Sequence, residues 1–395
     1  MLSKKSAAIH SSPVRELLKF SKEPGFISLA GGIPATDMID VEGIDQVVHQ
    51  ILAEDHRDVF QYSVTEGERP LRESIAVWSQ KSGLSLSPDQ ILITNGSQQG
   101  IDLLNRVFLE KDDVVLVERP TYLAALQLLD YTEAVVEELA YQGENIDVAA
   151  LETRLAAGGV KMLYLIPTFA NPTGRMIEDE QRLEIVKLAH RYQVVIVEDD
   201  PYGHLSFTEQ RRTTFFSLAQ ELYGADHNVC YMSSFSKIFS PGLRLGWLAL
   251  PEKFLMAITV AKQALDLHTS TLNQHIAARY IASGRIDQRI ALLRETYQQR
   301  RDWLIAALQR HLGDAITFNR PEGGMFLWCH LNAGVDARQL LKACIAEKVV
   351  FVPGDVFFAE NPELNALRLS YSMLTQESAD EAGRRIAHAL QTLSA

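Results

Sequence analysis

The 395-residue chain lacks long apolar runs, and none of its apolar stretches reaches the length of a membrane-spanning helix. The N-terminus, MLSKKSAAIHSSPVREL, carries charge but no apolar segment of the kind found in secretory signals. Positive charge is also in short supply, because 38 lysines and arginines face 50 acidic residues, for a net charge of −12. A nucleic-acid partner would require a concentrated basic face, so the composition argues against one. We expect a soluble, cytoplasmic protein.

Cysteine is scarce as well. Cys230, Cys329 and Cys344 make an odd count without C-x-x-C spacing, which supports neither a disulfide framework nor a zinc site. We interpret them as reduced packing residues. Eleven histidines include no H-E-x-x-H pattern, so no metal is expected.

Short apolar runs that alternate with helical stretches dominate the sequence from about residue 88. This alternation is typical of an α/β fold with a mostly parallel, seven-stranded sheet flanked by helices. Too few residues separate the last two runs for a helical crossover, so we expect the last strand to be antiparallel. The runs are Ile91–Thr94, Val114–Glu118, Val135–Leu139, Met162–Pro167, Val194–Asp199, Val229–Ser233 and Leu243–Leu250.

The pattern changes twice towards the C-terminus. Beyond Pro251 it is helical, and after Gly313 strands mix with helices, which predicts a second, smaller α+β domain. We expect an N-terminal arm and helix over residues 1–30, a large domain over 31–290, and a small domain over 291–395 that packs with the N-terminal segment.

The stretch from Cys230 to Leu250, CYMSSFSKIFSPGLRLGWLAL, places one lysine among hydroxyls in a loop between two strands. Phe235 and Ile238 flank Lys237 and would partly desolvate its ammonium, and Arg244 adds a second cation. Both effects favour the neutral amine, which is the form that attacks a carbonyl. The hydroxyls of Ser234 and Ser236, with Arg244, suit a phosphate dianion. An aldehyde that carries a phosphate describes pyridoxal phosphate.

The same letters also fit the S-x-x-K motif of penicillin-binding proteins and β-lactamases. Those enzymes additionally have S-D-N and K-T-G motifs, and neither string occurs in this chain. We therefore favour the cofactor interpretation.

In an open parallel sheet, ligands bind beyond the carboxyl ends of the strands. After the run at Ile91–Thr94 a glycine turn opens a helix, where Ser97 and Gln98 offer an anion site or, alternatively, a simple helix cap. After Val114–Glu118 comes Tyr122, which could stack on a planar ring or merely pack.

Two further strand ends carry polar groups. The turn Asn171-Pro172-Thr173-Gly174 presents an amide that could bind a phenolic oxygen or a carboxylate. In Glu198-Asp199-Asp200-Pro201-Tyr202, a buried acid needs a cationic partner such as a pyridinium nitrogen. We choose Asp199 because Tyr202, three residues later, could then reach the phenolic oxygen.

Near the C-terminus, Arg368 lies in the apolar strand Leu367-Arg368-Leu369. An arginine in this setting is either a member of a structural ion pair or a bidentate clamp for a carboxylate. An amino-acid substrate would supply that carboxylate.

These motifs resemble those of the fold-type I, class I and II pyridoxal phosphate-dependent aminotransferases, and within them the 2-aminoadipate and kynurenine aminotransferase branch. The resemblance covers essentially the whole chain. It is carried by SLAGGIPA, QYSVTEGERPLRE, TNGSQQGIDLL, ERPTYLAAL, NPTG, EDDPYG, SSFSKIFSPGLRLGW, EGGMFLW, VPGDVFF and LRLSYS.

The resemblance implies that Lys237 attaches to the cofactor and later moves the proton, and that a homodimer shares its active sites. It implies cofactor contacts by Asp199 at the ring nitrogen, Asn171 and Tyr202 at the phenolic oxygen, Tyr122 on the ring, and Ser97, Gln98, Ser234, Ser236, Arg244 and the neighbouring subunit's Tyr62 at the phosphate. For the substrate it implies Arg368 and Asn171 at the α-carboxylate, Gly32 in the pocket wall, and Arg15 at the side chain.

The sequence departs from its relatives at Ala170, His204 and Ile238, which leaves side-chain specificity open. Aminoadipate, aromatic, branched-chain and kynurenine-like donors all remain candidates, with glutamate and 2-oxoglutarate as the default pair. A lyase, decarboxylase or synthase could use the same residues, and the same fold serves as an effector-binding domain in some transcriptional regulators.

Overall fold

A computed structural model describes residues 13–20, 23–54, 57–208 and 212–394 of the chain. Its strands, in chain order, are β1 Ile27–Ser28, β2 Ile91–Thr94, β3 Val114–Val117, β4 Val135–Glu138, β5 Tyr141–Gln142, β6 Asn145–Ile146, β7 Val160–Leu165, β8 Val195–Asp199, β9 Val229–Ser234, β10 Gly246–Ala249, β11 Ile316–Phe318, β12 Phe326–Leu331, β13 Val349–Val350, β14 Val352–Pro353 and β15 Ala366–Ser370.

The α-helices are α1 Pro13–Phe20, α2 Val41–Ala53, α3 Arg69–Gln80, α4 Ser97–Phe108, α5 Leu123–Asp130, α6 Val148–Ala156, α7 Asp179–Arg191, α8 Phe215–Tyr223, α9 Glu252–Asp266, α10 Thr271–Ala282, α11 Arg285–Leu312, α12 Ala337–Ala346 and α13 Gln376–Ser394. None of the helices in the described ranges combines the length and the apolar character needed to cross a membrane.

The central sheet has seven strands in the order β2-β10-β9-β8-β7-β3-β4. All of its neighbouring pairs are parallel except those made by β10, which runs antiparallel to both β2 and β9. The predicted fold class and the predicted antiparallel strand are both confirmed. Each strand of the sheet corresponds to one of the apolar runs.

Apolar sequence explains why these strands lie inside the molecule. Strands β2 (ILIT) and β8 (VIVED) are buried along their whole length. Strands covered by helices on both faces need apolar residues on both faces, so continuous runs of this kind favour a helix-covered sheet over a half-exposed one. The three cysteines are buried free thiols within this packing.

The carboxyl ends of β2, β3, β7, β8 and β9 meet at one edge of the sheet. Antiparallel β10 begins at that edge, because its first residue, Gly246, pairs with both Thr94 and Ser234. The segment just before β10 therefore reaches the same place as the segments that follow the parallel strands. Arg244 and Lys237 consequently lie at the edge where the other candidate residues are found.

A second sheet, in the order β11-β12-β15-β14, is built by the C-terminal part of the chain. Strand β1 from the N-terminal part pairs in parallel with β13, matching Ile27 with Val349. The division into an arm and two domains at residues 30 and 290 stays a prediction.

Candidate active site

A cavity of about 350 Å³ opens at the carboxyl edge of the central sheet. This volume lies within the range of small-molecule sites in proteins, which is roughly 300–1,000 Å³. The predicted site residues that line it are Gly32, Ser97, Gln98, Tyr122, Asn171, Asp199, Tyr202, Ser234, Ser236, Lys237, Arg244 and Arg368.

Lys237 lies in the loop between β9 and β10. Its Nζ donates a hydrogen bond to the carbonyl oxygen of Gly32 at 2.9 Å, and the flanking Phe235 and Ile238 are buried. Burial lowers the pKa of Lys237 to about 8, and the cationic Arg368 and Arg244 act in the same direction. A substantial fraction of this amine is therefore neutral near physiological pH.

Asp199 ends strand β8 inside the cavity wall. Its Oδ2 accepts a hydrogen bond from the Tyr164 hydroxyl at 2.6 Å, whereas its buried Oδ1 has no partner. Burial raises the pKa of this carboxyl to about 7. A buried acceptor without a donor is costly, so this oxygen is suited to a protonated ligand atom.

The neighbouring acids, Glu198 and Asp200, already accept hydrogen bonds from groups within the protein. The Glu198 carboxylate accepts the backbone N–H groups of Phe215 and Phe216 at 3.0 and 2.9 Å, at the start of α8. Asp200 accepts from the Gly203 N–H at 2.8 Å and from the Tyr231 hydroxyl at 3.0 Å. Of the three acids, only Asp199 lines the cavity.

A glycine turn connects β2 to α4. The residue before the helix is Gly96, with φ of +80°, which has no side chain that could cap the helix. A Cβ on Gly96 would lie 2.7 Å from Nη2 of Arg244, which shows how closely the guanidinium approaches the turn. At the end of β9, Ser234 Oγ accepts the N–H of Ser236 at 3.1 Å.

Arg368 is buried in the cavity wall. Its Nη1 donates to Asn171 Oδ1 at 2.8 Å and its Nη2 to the Ala30 carbonyl at 2.6 Å. Its guanidinium carbon lies 4.2 Å from the ring centre of Phe326 and 5.0 Å from that of Phe357. Burial lowers the pKa of Arg368 to about 10, so it stays cationic at neutral pH.

Two tyrosines complete the polar lining. Burial raises the pKa of both Tyr122 and Tyr202 above the usual value. The amide of Asn171 lies beside the Tyr202 hydroxyl and opposes this rise in the pKa of Tyr202, so the two predicted phenol-binding groups are neighbours. Both hydroxyls stay protonated at neutral pH.

One predicted residue lies outside this cavity, and the side chain of another is not described. Tyr62 is 79% exposed, with its ring edge-on to His268 at 5.9 Å. Its predicted contact with a neighbouring subunit stays a prediction. The side chain of Arg15 lies outside the described residues, although Val14 from the same helix lines the cavity.

Sequence reasoning missed several contributors. The pattern around Tyr164 predicts only an apolar strand. No pattern in the sequence connects Phe326 and Phe357 with Arg368. The cavity wall also includes Ile33 and Leu123. One signal was present for Tyr164, since a hydroxyl within a buried strand needs a partner and the next strand ends in acids.

The three departures from the relatives lie outside this cavity. Ala170 and Ile238 are buried, and neither lines it. The His204 ring stacks on the Trp78 ring with 4.3 Å between their centres, and neither residue lines the cavity. Of the three, none therefore faces the space that a substrate would occupy.

The sequence pattern that defines aminotransferase class I and II matches residues 25–386. The chain belongs to this family. Aromatic-amino-acid aminotransferase 1 of Thermococcus litoralis is 36% identical over 395 residues, covering 98% of this chain and 94% of that protein. The predicted family is confirmed.

Two solved aminotransferases share the fold closely. The kynurenine aminotransferase of Pyrococcus horikoshii, in complex with PMP, has a TM-score of 0.92 and 35% identity, and the match covers 100% of this chain and 97% of that one. The α-aminoadipate aminotransferase of Thermus thermophilus, complexed with N-(5′-phosphopyridoxyl)-L-leucine, has a TM-score of 0.90 and 36% identity, covering 100% and 98%. The present aminotransferase therefore depends on pyridoxal phosphate and acts on amino acids and 2-oxo acids.

Proposed function

We propose that this aminotransferase moves an amino group from an L-α-amino acid to a 2-oxo acid in a ping-pong reaction, with glutamate and 2-oxoglutarate as one pair. The observation that carries the proposal is the unpartnered Oδ1 of Asp199 in the same cavity as Lys237, an amine with a pKa near 8. The Asp199 oxygen is suited to a protonated ring nitrogen, and the Lys237 amine is suited to attack a carbonyl carbon.

The charges of the cavity fit pyridoxal phosphate and an amino acid together. Lys237, Arg244 and Arg368 are basic, and Asp199 is the acidic side chain among the described lining residues. A phosphate and a substrate carboxylate balance this excess of positive charge, and the ring nitrogen supplies the proton that Asp199 lacks.

Phosphate binding is assigned to the glycine turn and the lysine loop. Helix α4 begins at Ser97, so the N–H groups of Ser97 and Gln98 have no acceptor within the helix. They also lie at the positive end of the helix. Arg244 adds a full charge, and Ser234 and Ser236 add hydroxyls.

Ring binding is assigned to four side chains. Asp199 holds the proton of the ring nitrogen, while Tyr164 fixes the orientation of its carboxylate. Asn171 and Tyr202, which are neighbours in the cavity wall, would bind the phenolic oxygen. Tyr122, which also lines the cavity, would stack on the ring.

When bound, pyridoxal phosphate supplies the aldehyde that takes up the donor's amino group and a ring that accepts electron density. Lys237 acts as the nucleophile that holds the cofactor and then as the base that removes the proton from Cα of the amino acid. Its lowered pKa favours both roles near pH 8.

Arg368 binds the substrate α-carboxylate, with Asn171 beside it. The guanidinium is fixed by Ala30, Asn171 and two aromatic rings before any substrate arrives, so little side-chain entropy is lost on binding. Charge-assisted hydrogen bonds of this kind contribute about 1.5–3 kcal/mol each.

We propose that the substrate side chain lies against the apolar residues of the cavity wall, which include Val14, Ile33, Leu123 and Phe357. Apolar walls support branched-chain and aromatic donors. For acidic donors such as 2-aminoadipate or glutamate we propose Arg15 as the partner of the distal carboxylate. The result is a broad specificity that includes these classes, with Gly32 leaving space beside the substrate.

We further propose a homodimer that shares its active sites. Exposed apolar side chains occur next to Tyr62 in the sequence and on α9, with Phe60, Val64, Met256 and Val260 all more than half exposed. Exposed apolar side chains of this kind suit a protein interface. Tyr62 would then reach the phosphate of the neighbouring subunit. A cytoplasmic location stays a prediction.

The decisive experiment compares Lys237→Ala with the wild type and with Lys253→Ala, a surface control. We expect glutamate formation from 2-oxoglutarate and an aromatic donor to fall at least about 10³-fold in Lys237→Ala and to stay unchanged in the control. Near wild-type transfer by Lys237→Ala would refute the assignment. Donor consumption without an equal amount of glutamate would instead indicate a lyase or decarboxylase.

A further inference from the structure

An ion pair with a buried ammonium and a partly buried carboxylate lies directly behind the glycine turn. The Nζ of Lys262, on α9, has no exposed side-chain surface around it and donates to Asp266 Oδ1 at 2.7 Å and Oδ2 at 3.0 Å. Burying an ammonium is costly unless it is paired, so the pair has to be retained once it is inside the protein. Neither residue belongs to the site described above.

The same carboxylate also holds the turn. Asp266 Oδ2 accepts hydrogen bonds from Asn95 Nδ2 at 2.5 Å and from Gln99 Nε2 at 2.7 Å. The Gln99 Oε1 in turn accepts the backbone N–H of Asn95 at 2.7 Å and lies 3.4 Å from the Lys262 Nζ. One carboxylate and one ammonium therefore fix residues on both sides of Gly96.

We propose that Lys262 and Asp266 are positioning residues for the phosphate of the cofactor. The residues between Asn95 and Gln99 are Gly96, Ser97 and Gln98, and the last two line the cavity. Because the flanking side chains are anchored, the N–H groups of this turn keep their direction towards the cavity. This inference rests on the proposed phosphate site.

The two partners of the pair matter for different reasons, Lys262 through its charge and Asp266 through the hydrogen bonds that anchor the turn. Lys262 and Asp266 together are neutral, so they neither attract nor repel a phosphate strongly. Without the ammonium, the Asp266 carboxylate would remain behind the phosphate-binding turn and oppose an incoming dianion. Without the carboxylate, Asn95 and Gln99 lose a shared acceptor and the ammonium is left unpaired.

The test measures cofactor affinity rather than turnover. The full-length chain, freed of its cofactor, is titrated with pyridoxal phosphate and with pyridoxal, which lacks the phosphate. We expect Lys262→Met and Asp266→Asn each to bind pyridoxal phosphate about tenfold more weakly or worse, the loss from one charge-assisted hydrogen bond, and to bind pyridoxal as the wild type does.

Lys253→Met is the matched control because Lys253 also lies on α9 and pairs with Asp226 at 2.9 Å, far from the cavity. Its affinity for both compounds should be unchanged. Equal losses for both compounds, or no loss in either variant, would overturn the inference while circular dichroism confirms folding. If the wild type itself did not prefer pyridoxal phosphate over pyridoxal, the proposed function would fail instead.

Discussion

At the residue scale, the buried carboxyl group of Asp199 lowers the stability of the folded chain while no cofactor is bound. An aspartate ordinarily titrates near 3.8, and burial raises the pKa of Asp199 to about 7. Between these values the folded chain holds a proton that the unfolded chain has released. Its contribution to stability therefore falls as the pH rises through this window.

We expect Asp199→Asn to stabilise the cofactor-free chain at pH 8 by on the order of 2 kcal/mol, and by less at pH 5. The amide carries no charge that burial could penalise. Urea unfolding at the two pH values measures the difference. With pyridoxal phosphate bound the gain should disappear, since the ring nitrogen then pairs with the wild-type carboxylate. An equal gain at both pH values would contradict this account.

Among single residues, the sequence predicted those whose chemistry stands out from their neighbours. Lys237 is a cation among apolar and hydroxyl residues, and Arg368 is a cation in an apolar strand. Tyr164 and the pair Lys262–Asp266 could not be predicted in the same way. A tyrosine suits a strand and a lysine suits a helix surface, so only the folded chain reveals that their polar atoms meet partners inside.

At the element scale, the turn between β2 and α4 depends on a residue without a side chain. Gly96 has φ of +80°, and a Cβ there would lie 2.7 Å from Nη2 of Arg244. Backbone of this kind is costly for any other residue. The Arg244 guanidinium can therefore lie this close to the turn only because residue 96 is a glycine.

We expect Gly96→Ala to destabilise the chain by about 1–3 kcal/mol and also to weaken binding of pyridoxal phosphate. Gly158→Ala is the control, because Gly158 has the same φ of +80° but open space around it. Both variants should lose stability in thermal unfolding, and only Gly96→Ala should lose cofactor affinity. Equal cofactor affinity in the two variants would argue against crowding at Arg244.

The strands of the central sheet could be predicted because each is a continuous apolar run bounded by turn residues. Strand β10 is shorter than its predicted run, since the residues before Gly246 form the turn that carries Arg244. The two-residue strands β5 and β6 were not predicted. So few residues contain no periodicity, and their pairing depends on the turn between them.

At the scale of the whole molecule, the proposed dimer predicts that one charge can separate the subunits. Val260 is 54% exposed on α9. We expect Val260→Glu to shift the chain towards monomers in sedimentation velocity, because a carboxylate at an apolar interface is desolvated without a partner. Leu222→Glu, on α8, is the control, with 43% exposure. A dimer that persists in Val260→Glu would exclude this face.

The sequence predicted that the N-terminal segment packs with the small domain, but it could not predict which strands pair. Strand β1 joins β13 across more than three hundred residues, and such pairing leaves no local pattern. The confirmed family and fold came from motifs that lie in order along the chain, whereas the cavity exists only after these distant segments combine.

The segment that follows β1 contacts the cavity through its main chain. The carbonyl oxygens of Ala30 and Gly32 receive hydrogen bonds from Arg368 and Lys237. Because these acceptors belong to the peptide links, alanine scanning leaves them in place. Replacing the following amide by an ester, which makes the carbonyl a poorer acceptor, is the chemical edit that would expose how much these two contacts contribute.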